Sequence, residues 1–183
     1  MIKNAVILAG GKSSRMGCDK AFLMWKGKTF VERIISAAQQ IAQKVVLSGD
    51  ASRLRKLGLD VIEDEVTGNG PVYALASSFK KMGQTPTLVI SCDVPQVTVQ
   101  DLEYLVAQHN SQFDVTCFEY NGKTLPLIGI YSANSFKAFY RAVENGERKL
   151  FSVLNNLKVK RIKYNGVSGL QNVNTPQDLK ELI

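Results

Sequence analysis

The chemistry in this chain is densest in Leu8-Ala9-Gly10-Gly11-Lys12-Ser13-Ser14-Arg15-Met16-Gly17-Cys18-Asp19-Lys20, where glycines alternate with the cations Lys12, Arg15 and Lys20. Glycine lets backbone N–H groups approach anionic oxygens, arginine presents a planar fork of donors, and lysine a compact positive charge. Such a set suits phosphate, although the three cations alone fit a solvated basic turn equally well. Spacing excludes two common phosphate loops. Gly11-Lys12-Ser13 matches the end of a Walker A loop, but its first glycine would fall at Val6. The dinucleotide fingerprint would need a glycine where Lys12 stands.

Other reactive side chains offer less. Cys18, Cys92 and Cys117 are widely spaced, with no Cys-x-x-Cys pair and no histidine cluster nearby, which argues against structural zinc and a disulfide framework. Cys18 has no evident base and reads as a small neutral side chain, and Cys92 is expected to be buried. His109, the single histidine, falls near an expected helix end and reads as a terminal polar residue. Phe22, Met24 and Trp25 are expected in core or lid packing.

The glycine-rich segment needs an element to present it, and Asn4-Ala5-Val6-Ile7-Leu8 supplies one: a short apolar run that reads as a buried strand entering a tight turn. Thr29-x-x-Glu32 forms a capping box ahead of Val31, Ile34, Ile35, Ala38 and Ile41, which recur on one helical face. A strand at Lys44–Leu47, a short helix near Ser52–Leu57, a strand at Asp60–Ile62 and a helix opening at Pro71 follow. Thr87–Ser91 is another buried strand, ending at Cys92-Asp93-Val94-Pro95, and Leu102, Leu105 and Val106 mark the next helix. This alternation predicts a mostly parallel sheet with helices on both faces, an α/β fold whose ligands bind at the carboxyl ends of the strands.

Beyond residue 110 the rhythm changes. Val115–Tyr120, the Asn121-Gly122 turn and Leu127–Tyr131 predict a hairpin-like excursion, and Phe136, Phe139, Tyr140 and Val143 a helix stopped by Asn145-Gly146. Lys158–Lys163 reads as a basic edge strand, and Thr175-Pro176 as the capped start of a terminal helix.

With 183 residues, 45% hydrophobic and 21% charged, the chain has the balance of one globular domain, expected to span 1–183. No window approaches the ~20 apolar residues of a membrane span, and neither an export nor an anchoring signal opens the chain, so a cytoplasmic protein is expected. The net charge of +7 favours anionic partners without choosing among them. There is no block of like charge and no aromatic-rich basic ribbon, so nucleic acid is not an expected partner.

The order of residues carries more. Leu-Ala-Gly-Gly followed by Ser-x-Arg-Met-Gly-x-Asp-Lys, at Leu8–Lys20, resembles the opening signature of the molybdenum cofactor guanylyltransferases, MobA-like nucleotidyltransferases that join GMP to molybdopterin. Val61-Ile62-Glu63-Asp64, Gly70-Pro71, Cys92-Asp93-x-Pro95, Gly146-Glu147-Arg148 and Asn172-Val173-Asn174-Thr175-Pro176 continue the likeness in family order. The resemblance implies a three-layer, Rossmann-like fold. It also implies that Leu8, Ala9 and Gly10 line the nucleotide site through their backbone, that Gly11 and Arg15 belong to the phosphate loop, and that Lys20 reaches the phosphates. Asp64 would contact the nucleotide and Asp93 would hold Mg2+. Asn174 would face the metal or the second substrate, and Arg148 the anionic pterin. Three positions depart from the family pattern: Ser48 stands where an asparagine is frequent, Val72-Tyr73-Ala74 where Leu-x-Gly is commoner, and Leu125 where a histidine often precedes the proline.

The implied reaction fits the composition. A phosphate monoester has its second pKa near ~6, so the acceptor is largely ionised at neutral pH and needs no protein base. The barrier is repulsion between anions, which calls for positioning, Mg2+ and cations, with Arg15, Lys20 and Asp93 in catalytic roles. The expected substrates are GTP and molybdopterin, and the resemblance suggests molybdenum-insertion and cofactor-chaperone proteins as further partners. Alternatives are cytidylyl or other nucleotidyl transfer to molybdopterin or to a sugar or alcohol phosphate, and a noncatalytic nucleotide-binding regulator.

Overall fold

The computed structural model describes residues 1–10, 19–63, 69–166 and 169–182. The opening apolar run forms β1 (Ile2–Leu8), starting two residues earlier than its apolar stretch. A turn with Lys26 and Gly27 both at positive φ then joins β2 (Met24–Trp25) to β3 (Lys28–Thr29), a small hairpin that no apolar alternation announces. Met24 is 61% exposed on it, which excludes the core half of the expected core or lid packing for this residue, while the Arg33 guanidinium covers the Trp25 ring at 4.3 Å.

The predicted capping box starts α1 (Phe30–Ile41): the Thr29 amide donates to Glu32 Oε2 at 2.8 Å, and the Glu32 amide to Thr29 Oγ1 at 3.3 Å. β4 (Ala42–Ser48) and α2 (Ala51–Leu54) follow, then β5 (Val61–Ile62) and α3 (Pro71–Met82), with Pro71 in its first turn. β6 (Thr87–Ser91) leads to α4 (Val99–Gln108), which ends at His109, whose ring lies 3.0 Å from the Thr116 hydroxyl. β7 (Val115–Tyr120) and β8 (Lys123–Tyr131) precede α5 (Ala133–Glu144), α6 (Leu150–Leu154), β9 (Val159–Lys163) and α7 (Pro176–Lys180).

One sheet carries seven strands in the order β5-β4-β1-β6-β8-β7-β9. Every pairing in it is parallel except those of β8, which runs antiparallel to both β6 and β7. The β7–β8 hairpin, expected as an excursion, is thus built into the middle of the sheet. Asn121 and Gly122 turn it with positive φ at both positions, and β8 begins at Lys123, upstream of the expected Leu127. Its pairing slips after Cys117, which accommodates Pro126, a residue without an N–H for the ladder. β9 is the edge strand, as expected. Its basic face is not wholly solvated, because Lys160 Nζ donates to the Gln108 carbonyl at 2.6 Å.

Alternation along the strands divides the core into two layers. Ala5 and Ile7, with Leu88 and Ile90, pack beneath α1 and α4 through Val31, Ile34, Leu102 and Leu105. Val6 and Leu8 face the other way, toward Leu75 and Phe79 of α3 and Phe136 and Phe139 of α5. The Phe79 and Phe136 rings stack at 4.1 Å. Each such ring contributes about 1.5–3 kcal/mol by leaving water. The result is a three-layer, Rossmann-like α/β fold in which β4, β1 and β6 direct their carboxyl ends to one edge. Among the described residues no helix is long and apolar enough to cross a membrane.

Candidate active site

Parallel register lines up Leu8 with Ser48 and with Ser91, so three strands end side by side. The ladder continues one step further, with the Ala9 amide donating to the Ser48 carbonyl at 2.9 Å and the Cys92 amide to the Leu8 carbonyl at 3.1 Å. Gly10 and Gly49 then pass each other closely. A Cβ on Gly49 would lie 3.0 Å from Gly10 N and 2.9 Å from Leu54 Cδ1, and its φ of +151° is one that residues with side chains rarely adopt. Gly10 is therefore packed against Gly49 on the side facing β4, and a side chain on Gly49 would not fit between the two strand ends. The Ser48 hydroxyl beside it is buried and has no hydrogen-bond partner among the described residues.

On the β6 side the chain delivers Asp93. Its backbone carbonyl accepts from the Val173 amide at 2.8 Å, and the side-chain amide of Asn172 reaches Asp93 Oδ2 at 3.4 Å. Leu170 and Val173, both buried, anchor this closing segment to the sheet. One residue on, Asn174 Oδ1 accepts from Lys20 Nζ at 2.7 Å. Asn174 is itself fixed from behind. Its amide and that of Thr175 donate to Asp178 Oδ2 at 2.7 and 2.8 Å, within the capping box that opens α7. Those backbone bonds, the one from Asn174 foremost, hold the Asp178 carboxyl below the usual range.

The Asp93 carboxyl is pushed the other way. Burial raises its pKa, and the Ser91 hydroxyl and the Lys20 ammonium offset this only in part. Its Oδ1 is shut off from solvent and has no hydrogen-bond partner among the described residues. A buried acceptor of this kind is costly unless something occupies it. A hard divalent cation fits, because Mg2+ takes one or two carboxylates and completes its shell with phosphate oxygens and water. Cys92 offers no competing ligand or nucleophile: burial foremost, then the Asp93 and Asp19 carboxylates, pushes its thiol up to about 12.

The fold thus brings Lys20, Asp93 and Asn174 together beside the strand end formed by Leu8, Ala9 and Gly10. Arg148 makes no described contact with this group. Its carbonyl lies beside Gly70 at the start of α3, and its amide donates to Glu147 Oε1 at 2.8 Å. Gly11, Arg15 and Asp64 lie outside the described residues. Sequence reasoning passed over four residues. Asn172 stood in a motif already noted, Asp178 completes a Thr-x-x-Asp cap, and Gly49 follows a strand, so each left a local trace. Arg53, whose Nη2 lies 2.8 Å from Asp19 Oδ2, left none.

Known proteins resemble the chain over nearly its whole length. The chain is 30% identical to the probable molybdenum cofactor guanylyltransferase of Flavobacterium johnsoniae, over 96% of this chain and 94% of that one. Molybdopterin-guanine dinucleotide biosynthesis protein A from Archaeoglobus fulgidus has the same fold, with a TM-score of 0.81 at 23% identity over 98% of this chain and 96% of that one. Rv0371c from Mycobacterium tuberculosis, solved in complex with manganese, superposes with a TM-score of 0.76 at 18% identity, over 100% and 98% of the two chains. Residues 5–161, from the first strand through the edge strand, match the MobA-like NTP transferase domain, and the chain belongs to that family of nucleotidyltransferases.

Proposed function

We propose that this chain transfers GMP from GTP to the terminal phosphate of molybdopterin, releasing pyrophosphate and forming molybdopterin guanine dinucleotide, with residues 1–183 acting as one domain. The convergence of Lys20, Asp93 and Asn174 at the carboxyl ends of β1 and β6 carries this reading. Similarity to curated molybdenum cofactor guanylyltransferases over nearly the whole chain supports the choice of substrates.

In this reading the backbone of Leu8, Ala9 and Gly10 receives the guanine nucleotide, with Gly11, Arg15 and Asp64 completing its binding set. Lys20 meets the triphosphate. Asp93 holds Mg2+, which supplies positive charge to the reacting phosphates when bound. An oxygen of the molybdopterin phosphate attacks the α-phosphorus, a new P–O bond forms, and the bond from the α-phosphorus to the bridging oxygen of the β-phosphate breaks. That oxygen leaves with its electron pair as part of pyrophosphate. No proton need be removed from the nucleophile, consistent with the lysine and the buried aspartate that the described residues bring to the site. Asn174 orients the Lys20 ammonium, and Arg148 meets the anionic pterin at the start of α3. The enzyme works in the cytoplasm, receiving molybdopterin from molybdenum-insertion proteins and passing its product to cofactor chaperones.

Equilibrium binding of GTP, CTP, ATP and UTP in the presence of Mg2+ tests this function. The expected order places GTP first, and a preference for CTP would overturn the guanylyl assignment in favour of cytidylyl transfer.

A further inference from the structure

Arg53 sits on α2, beyond β4 and the Gly49 turn, far in sequence from the glycine-rich segment. Its Nη2 nevertheless lies 2.8 Å from Asp19 Oδ2 and, more weakly, 3.5 Å from the Ala9 carbonyl oxygen. Ala9 and Asp19 flank residues 10–18, so one guanidinium touches both ends of that segment. The other Asp19 oxygen accepts from the Ala21 amide at 3.2 Å, capping the short turn Lys20–Phe22 that carries Lys20. Lys20 then donates to Asn174 at 2.7 Å. A continuous path therefore runs from Arg53 through Asp19 and the capped turn to the ammonium beside Asp93.

This geometry is not explained by stability alone. Arg53 Nε is buried and has no hydrogen-bond partner among the described residues, an arrangement that costs the fold rather than supporting it. The Arg53 and Asp19 side chains keep 36% and 27% of their exposure, and a partly solvated pair of this kind adds little to folding. Its effect is to fix a direction. With Asp19 clamped and capping the turn, Lys20 is presented toward Asn174 and the carboxyl ends of β1 and β6.

We propose that Arg53 is a positioning residue that acts through Asp19 to set the Lys20 ammonium in the nucleotide site. The inference rests on the proposed nucleotide site and deepens it. Both contacts come from the one nitrogen Nη2, so the placement of a positive charge between Asp19 and the Ala9 carbonyl carries the clamp, and a shorter, more flexible lysine would hold it less firmly.

The test is a double-mutant cycle on the full chain, read by equilibrium binding of MgGTP and by thermal melting. Arg53→Met is expected to weaken binding about tenfold, the scale of one charge-assisted hydrogen bond lost, with little change in melting temperature. In a Lys20→Met background the same substitution is expected to weaken binding no further, because its effect passes through Lys20. Asp19→Asn should reproduce the loss, Arg53→Lys should restore part of it, and Arg55→Met, exposed on the neighbouring turn, should leave affinity unchanged. Full additivity of the Arg53 and Lys20 effects, or unchanged binding in Arg53→Met, overturns the proposal. If Arg53→Met does not fold, Arg53→Lys and Asp19→Asn carry the cycle on the same criteria. If the wild-type chain prefers another triphosphate, the guanylyl reading falls and the cycle is run with that nucleotide; a chain that binds none of the four overturns both.

Discussion

Asp93→Asn is expected to separate stability from function in opposite directions. In the unliganded protein, Asp93 Oδ1 is a buried acceptor unmet among the described residues, on a group whose ionised form burial disfavours. An unmet buried acceptor costs about 1–3 kcal/mol, and losing the attraction to Lys20 offsets part of the relief, so a net gain of about 1 kcal/mol is expected for the amide. For a chain of this size that is a rise in Tm of about 2–4 °C. Saturating MgGTP reverses the ranking. At a hundredfold excess over Kd, ligand stabilises the wild type by about 2.7 kcal/mol, or roughly 5–10 °C, whereas the variant, lacking its cation ligand, gains little. The raised Asp93 pKa adds a pH signature. Between the ordinary aspartate value and the raised one, the folded protein binds more protons than the unfolded chain, so wild-type stability falls as pH rises through that window. Asp93→Asn should flatten this slope. Differential scanning fluorimetry across pH, with and without MgGTP, reads all of these effects. A variant less stable than wild type without ligand yet equally stabilised by MgGTP would show that Asp93 is a structural turn residue and not a metal ligand.

Lys20→Met removes a cation aimed at developing phosphate charge and is expected to lower kcat about 10²–10³-fold, with Lys20→Arg recovering part; a change confined to KM would place Lys20 in ground-state binding only. Gly49→Ala forces a Cβ to 2.9 Å from Leu54 Cδ1 and 3.0 Å from Gly10 N at a φ of +151°, and is expected to cost about 1–3 kcal/mol by urea titration. An unchanged midpoint with unchanged nucleotide binding would refute the close approach of the two strand ends. Asp178 is held below the usual carboxylate range by the Asn174 and Thr175 amides, so its contribution is present above the ordinary aspartate value and lost as pH falls through the lowered one. Asp178→Asn should therefore speed amide exchange at Asn174 and Thr175 while leaving the far-ultraviolet spectrum intact, and undiminished protection there would argue against the anchor.

The elements were legible because their signals are local. Continuous apolar runs marked β1, β4 and β6; Thr29-x-x-Glu32 and Thr175-Pro176 marked helix starts; and Asn121-Gly122 marked its turn by demanding positive φ at two successive residues. The β2–β3 hairpin was not legible, since a pair of two-residue strands is too short to show a period. Whether Met24 would join core or lid was not legible for a related reason, because side-chain type says nothing about which face of a tiny hairpin meets solvent. Residue order in the motifs reached Lys20, Asp93 and Asn174, but not what each touches.

By itself the sequence determined the alternation of strands and helices, the mostly parallel α/β class and the candidates for phosphate and cation binding, since periodicity, capping and turn chemistry depend on neighbouring residues alone. Tertiary structure decided the rest. It inserted β8 between β6 and β7, laid Gly49 against Gly10, brought Asn174 across 154 residues to Lys20, and clamped Asp19 with Arg53. Those outcomes follow from contacts between distant segments, whose energies arise only once the chain has folded, so the spacing of residues along it does not tell which segments meet.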